Sequence, residues 1–282
     1  MRTVVGPPFS QVSFGLVSSA TAYVGPGDIV GGAIFWFGLR AYSSTTAGTK
    51  AIQIVKASDG SAAQDINTLS NGKLDVATIA GLGYAVKVKT LYDQSGNNRH
   101  VTQTTLANMA PLTLNVLGLF PACQPDGTTA QTSLVFTLDA TFPQPNTIVS
   151  CANRTGSTSN FGAWCGFGNN TMYFNNTPNS IQNYCGTSLA ILHAPETTDG
   201  TTHAIQMLNN GVSSEIYSDG NSLITGDVNT GGFVIGNTLF IMSDIFSNFM
   251  TGNWFETGAW NSGFSPGNKA AMNTNIHNYW GF

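Results

Sequence analysis

The sequence predicts an all-β sandwich with an N-terminal arm and a short C-terminal helix. Three observations carry this prediction. Charged side chains make up only 9% of the 282 residues, 10 basic and 14 acidic, against roughly 25% in an ordinary soluble domain. Their place is taken by 32 glycines and by many Ser, Thr and Asn, residues suited to turns and solvent-facing strand positions. Short apolar runs also recur between clusters of Gly, Asn, Pro and Thr, which is the spacing of sandwich strands. The same composition excludes other classes. A coiled coil needs charged faces. A nucleic-acid binder needs a basic footprint, whereas the net charge is −4 and the pI about 5.4. With 41% hydrophobic and 11% aromatic residues, the chain buries a core and is not disordered by charge. No apolar run approaches the ~18 residues of a membrane span, so no membrane insertion is expected.

Along the chain, residues 1–27 read as an arm punctuated by Pro7-Pro8 and Gly25-Pro26-Gly27, with apolar pieces such as Val12–Val17 between them. Such an arm adds a strand to the main body or to a neighbouring subunit. From residue 28 to 282 no repeat or change of composition marks a boundary, so one domain is expected. Ala33–Tyr42 is dense in apolar residues and must be core. Ala51–Lys56 and Ala85–Tyr92 alternate with period two and read as strands. Leu74–Leu82 reads as a short helix with Asp75 near its start. Ser133–Leu138 and Thr147–Cys151 read as sandwich strands. Thr202–Leu208, the turn Asn209-Asn210-Gly211, Ser213–Ser218 and the turn Asp219-Gly220-Asn221 form a hairpin and its exit. Val234–Gly236, Leu239–Met242 and Gly252–Trp260 complete the strands. Ser265-Pro266 has the signature of a helix start and opens a helix to Tyr279.

Four cysteines (Cys123, Cys151, Cys165 and Cys185) fit no zinc spacing. They read as separate buried thiols, with three disulfide pairings left open by the sequence. The four histidines (His100, His193, His203 and His277) show neither H-x-H nor H-E-x-x-H spacing, so no metal or other cofactor is expected. His203, at the start of a strand, reads as a packing or rim residue. Glu196, Glu215, Asp219, Asp227 and Glu256 read as solvated turn or edge residues.

His203 to Gly236 resembles the hairpin of a concanavalin A/laminin-G-like jelly roll, and Gly252–Trp260 followed by a helix fits the same superfamily. Leu91-Tyr92-Asp93-Gln94-Ser95-Gly96-Asn97 resembles the Y-D-Q-S-G-N segment in the catalytic domain of family 54 α-L-arabinofuranosidases. Similar modules also occur in phage virion and bacterial surface proteins. The resemblance covers about residues 33–282. Read by themselves, Tyr92, Asp93, Gln94, Ser95, Gly96 and Asn97 form a structural turn, with the Asp93 carboxylate accepting hydrogen bonds from the turn backbone.

The resemblance implies a retaining hydrolase, which needs two carboxyl groups about 5–5.5 Å apart. At the position aligned with the family nucleophile, the segment Asn169-Asn170-Thr171-Met172-Tyr173 carries Asn170. The family's acid aligns with Asp244. An amide cannot form the glycosyl-enzyme ester, so the catalytic pair is broken and Asp244 stands alone as the catalytic candidate of the alternative, hydrolase reading. Where the family has adjacent cysteines, this chain reads Ala163-Trp164-Cys165-Gly166. Trp164, Asn170, Tyr173 and Asp244 are then the candidate ligand-binding residues.

The expectation is a non-catalytic surface or structural protein of a bacteriophage particle, such as a fibre, spike or decoration component. Its partners would be other virion proteins or further copies of itself, and cell-surface glycan. The start of the chain lacks the apolar stretch of a signal peptide, which fits release by lysis to a virion surface. The alternatives are an arabinofuranosidase-like hydrolase and a cellular, extracellular carbohydrate-binding module.

Overall fold

The computed structural model describes residues 22–126, 134–154, 162–167, 170–176, 179–184, 191–195, 200–228, 230–231, 234, 236–243 and 250–282; for those between 162 and 180, and for 184 and 191–195, it describes the backbone alone. In chain order, α1 (Pro26–Ile29) leads into β1 (Ala33–Gly38), β2 (Lys50–Lys56) and β3 (Gln64–Asn67). α2 (Val76–Ala80) precedes β4 (Val86–Leu91), β5 (Val101–Thr102), β6 (Pro111–Leu117), β7 (Phe120–Cys123) and β8 (Leu134–Thr137). Next come β9 (Asn146–Arg154), β10 (Gly162–Phe167), β11 (Asn170–Asn176), β12 (Asn179–Tyr184) and β13 (Ile191–Pro195). β14 (Thr202–Asn209), β15 (Ser214–Ser218), β16 (Asn221–Gly226), β17 (Thr238–Ile241), β18 (Gly252–Trp260) and α3 (Pro266–Trp280) follow.

The named strands pair antiparallel and fall into two runs, the layers of a β-sandwich. One runs β1-β18-β9-β14-β15-β16. The other runs β3-β2-β4-β5-β8-β17-β10-β11-β12-β13. The short β6 and β7 bridge them, β6 from β4 and β7 through the pair Trp254↔Cys123 on β18.

Strand β4 alternates buried and half-buried residues, as its period-two sequence requires. By contrast, β9 and β18 are buried along their whole length, because the layer they belong to is covered on both faces. One face meets the apolar core between the layers. The other is covered by α3, where Met272, Ile276 and Trp280 are buried and the Trp280 ring lies 4.9 Å from that of Phe255. Close packing fixes Gly258 on β18: a Cβ there would come 2.3 Å from Cε3 of Trp36.

The helix termini follow their sequence signals. Asp75 caps α2, accepting from the Thr78 N–H, and Ser265 caps α3, accepting from the Asn268 N–H at 3.2 Å. α3 stops at Gly281, which takes the left-handed conformation at φ 77°. One reading needs correction. Val234 and Gly236 belong to no strand; Gly236 turns at φ 83° and its N–H donates to Leu138 O at 2.9 Å, so the next strand starts only at Thr238.

Residues 1–21, with the Val12–Val17 piece, lie outside the described residues. The segment 22–27 is fastened to the body. The Tyr23 hydroxyl donates to Ala41 O at 2.5 Å, the Gly27 N–H to Tyr42 O at 2.7 Å, and the Asn275 side chain of α3 to Val24 O at 2.8 Å.

Candidate functional site

The Tyr92–Asn97 turn runs along the edge of β1 that β18 does not occupy. Its side chains stand in for a missing neighbouring strand. One Asp93 oxygen accepts from the N–H groups of Trp36 and Ser95, each at 3.0 Å, and the other from Arg99 N–H at 3.0 Å. Gln94 accepts from Tyr42 N–H at 3.1 Å and donates to Gly38 O and Arg40 O at 3.0 and 3.1 Å. Asn97 donates to Ala33 O and Ile34 O at 2.9 and 3.0 Å. Gly96 supplies the positive φ of the turn, 95°. Tyr92 donates to Asp65 at 2.7 Å; burial, with the Asp65 hydrogen bond, pushes its phenol up to about 12. Every side-chain polar atom of Asp93 and Gln94 is thus spent on backbone, which satisfies an otherwise orphaned strand edge.

Three of the candidate binding residues fall on one hairpin. β10 and β11 pair with Ala163 opposite Tyr173 and Phe167 opposite Asn170, and an irregularity between Ala163 and Cys165 falls at Trp164. Trp164 and Tyr173 therefore share one level of the ribbon, and Asn170 lies at its turn end. β17 lies on the other side of β10, with Ile241 opposite Cys165. Asp244 lies outside the described residues, as do Cys185 and Glu196. Among the described cysteine side chains, Cys123 and Cys151 are buried free thiols, and burial pushes both thiols above their ordinary range.

The acids differ from their sequence reading. Glu256 is not solvated: its side chain is 0% exposed and makes a two-point ion pair with Arg40, at 2.5 and 2.8 Å. Arg40 also donates to Asn275 of α3 at 2.9 Å and lies 4.6 Å from the Tyr279 ring centre. Burial works to lower the Arg40 pKa, and the charge and hydrogen bond of Glu256 together with nearby Tyr23 and Tyr279 more than offset it. Period-two alternation predicts an outward Glu256, but α3 covers that outward face. Glu215 is likewise held, by Lys269 of α3. Asp227 is exposed.

Asp219 departs furthest from the solvated reading. In the β15–β16 turn, one of its oxygens accepts from His203 Nδ1 at 2.5 Å and the other from the Ala204 N–H at 2.9 Å. His277 Nε2 of α3 stands 3.3 Å from the same carboxylate. Burial raises the Asp219 pKa; the His203 and Ala204 hydrogen bonds outweigh it, leaving the carboxyl below its ordinary value. Because a carboxylate only accepts, His203 Nδ1 carries a proton and donates to Asp219, and Nε2 lies 2.8 Å from the Thr201 hydroxyl. These residues line an open cavity of about 670 Å³ at one end of the sandwich, shared with Asn153, Asn253 and an apolar wall of Leu117 and Phe282. Sequence reading named His203 and Asp219 separately. The usable signal was hairpin register: Ile205 pairs with Ser218, which sets Asp219 beside Ala204 and His203. Nothing in the sequence pointed to His277.

No group of three or more His, Cys, Asp or Glu placed to hold a metal ion occurs among the described residues, and no described helix is long and apolar enough to cross a membrane.

No family model matches the chain, and no curated protein matches it by sequence. Solved structures do. A GH54 α-L-arabinofuranosidase soaked with a cyclic sulfate inhibitor is similar over 90% of this chain, with a TM-score of 0.67 and 15% identity. An arabinofuranosidase complexed with arabinofuranosyl-α-1,2-xylobiose is similar over the same share, at a TM-score of 0.69 and 14% identity. The chain spans 65% and 64% of the length of these two structures. At such identity the likeness is one of fold: the chain has the β-sandwich of GH54 arabinofuranosidases.

Proposed function

We propose that the chain is a non-catalytic, glycan-binding surface component of a bacteriophage particle, a fibre, spike or decoration protein assembled with other virion proteins or with further copies of itself. What supports the non-catalytic part is Asn170, on β11, which the sequence resemblance aligns with the family's nucleophile. A carboxamide forms no glycosyl ester. Two deeply buried acids are also committed elsewhere, Asp93 to three backbone N–H groups and Glu256 to Arg40. The fold it shares with arabinofuranosidases supports a sugar-related surface. Its low charge suits assembly, since charged residues are depleted in interface cores.

Mass spectrometry of purified particles tests the location, and a glycan array tests the binding. The expected result is a chain present in particles that binds glycan and releases nothing from aryl α-L-arabinofuranosides. Array binding by a chain absent from particles would make it a cellular carbohydrate-binding module. Turnover of the aryl furanoside, abolished in Asp244→Asn, would establish the hydrolase instead.

A further inference from the structure

Four hollows in the surface differ in what their walls offer. The one beside Tyr92 and Gln94, about 400 Å³, is backed by side chains already spent on backbone. The one between α2 and β6, about 420 Å³, is walled mainly by aliphatic and small residues such as Ile79 and Leu114. The smallest, about 170 Å³, lies between Phe120 and Lys73. The cavity at His203, about 670 Å³, lies within the roughly 300–1,000 Å³ of small-molecule sites, and it combines an amide and hydroxyl wall with an apolar one.

Its polar wall holds a group with work left undone. Asn253 is 8% exposed. Its side-chain oxygen accepts from Gln124 at 2.7 Å and its backbone N–H donates to Asn153 at 2.9 Å. Among the described residues, none accepts from its amide nitrogen. A polar group so placed needs a ligand or water. The ionisable groups lining the cavity are Asp219, His203 and His277, and they face one another at 2.5 and 3.3 Å. No Lys, Arg or Glu stands among its lining residues, so the polar wall is mostly amide and hydroxyl, the chemistry of a neutral ligand. Across from the amides, the Phe282 ring and Leu117 offer a face for C–H groups.

The geometry points to this cavity as a binding site for a neutral sugar, with hydroxyls on the Asn253 and Thr201 side and the ring face against Phe282. This deepens the glycan-binding reading and rests on it, but it places the sugar away from Trp164, Asn170 and Tyr173.

The test is saturation-transfer NMR and calorimetry on the full chain with arabinose, galactose, glucose, xylobiose and cellobiose. At least one sugar is expected to bind, at least tenfold more weakly in Asn253→Ala and in Leu117→Arg, and unchanged in Leu119→Ala, at an exposed side chain outside the cavity. Leu117 is only half-buried, so its variant keeps the test valid if Asn253→Ala unfolds, which circular dichroism would reveal. No binding by any of the five sugars overturns the proposal. Binding lost in Asn170→Ala but kept in both cavity variants also overturns it, while leaving the glycan-binding reading intact.

Discussion

Glu256 and Asp219 are both acids held by a basic side chain, and they differ in access. Glu256 and Arg40 are each 0% exposed and lie beneath α3. Asp219 keeps 27% of its side chain exposed at the wall of a cavity. A sealed pair has lost its hydration and is held by its partner and by the α3 groups around it, so its worth lies in fixing which strand and which helix meet. A pair on a cavity wall keeps contact with solvent and with whatever enters. The same residue chemistry is thus sealed in one place and open to solvent in the other, and burial decides between them.

The comparison can be broken first at the sealed pair. Glu256→Leu or Arg40→Met alone is expected to cost about 3–5 kcal/mol, because each leaves a buried group uncompensated. The double variant Arg40→Met/Glu256→Leu should recover most of that loss. Urea unfolding of the four proteins decides it, and additive losses would mean the two residues do not act as a pair. Asp93 is sealed in another way, by backbone. Asp93→Ala removes the acceptors of two buried N–H groups and one half-buried one and should cost about 3 kcal/mol. In hydrogen exchange, the Trp36 amide should lose protection before those of β18.

Smaller effects belong to α3 and to the open acid. Ser265→Ala removes the helix cap, for a loss of about 1 kcal/mol in the same unfolding assay. Asp219 should show in the pH dependence. Its folded pKa lies below its ordinary value, so its contribution is complete above the unfolded pKa of about 3.9 and is lost as pH falls through the folded one. Asp219→Asn should flatten the acid limb of stability while leaving the Glu256 double-variant result unchanged. An unaltered acid limb would show that the His203–Asp219 contact contributes nothing.

Much of the fold is legible in the sequence, for local reasons. The period-two runs at Ala51–Lys56 and Ala85–Tyr92 become β2 and β4, the hairpin around Asn210-Gly211 becomes β14 and β15, and Ser265-Pro266 opens α3. Strand alternation, turn chemistry and capping act over a few residues, and a reader of the chain sees all of them. The short strands β3, β6, β7 and β16 carry weak patterns, because their pairing partners and not their own periodicity hold them in place.

The candidate site was less legible, because its parts are far apart in the chain. Trp164, Asn170 and Tyr173 fall on one hairpin, as their short spacing allows. The cavity instead joins the starts of β14 and β18, the β15–β16 turn and the end of α3. The sequence by itself determined an all-β chain with a capped C-terminal helix, since those features follow from local periodicity and composition. Tertiary structure alone decided that Glu256 is sealed and Asp219 is not. Whether a charge is buried depends on what covers its strand, and here the cover is α3, which buries the face carrying Glu256 but leaves the rim at Asp219 open.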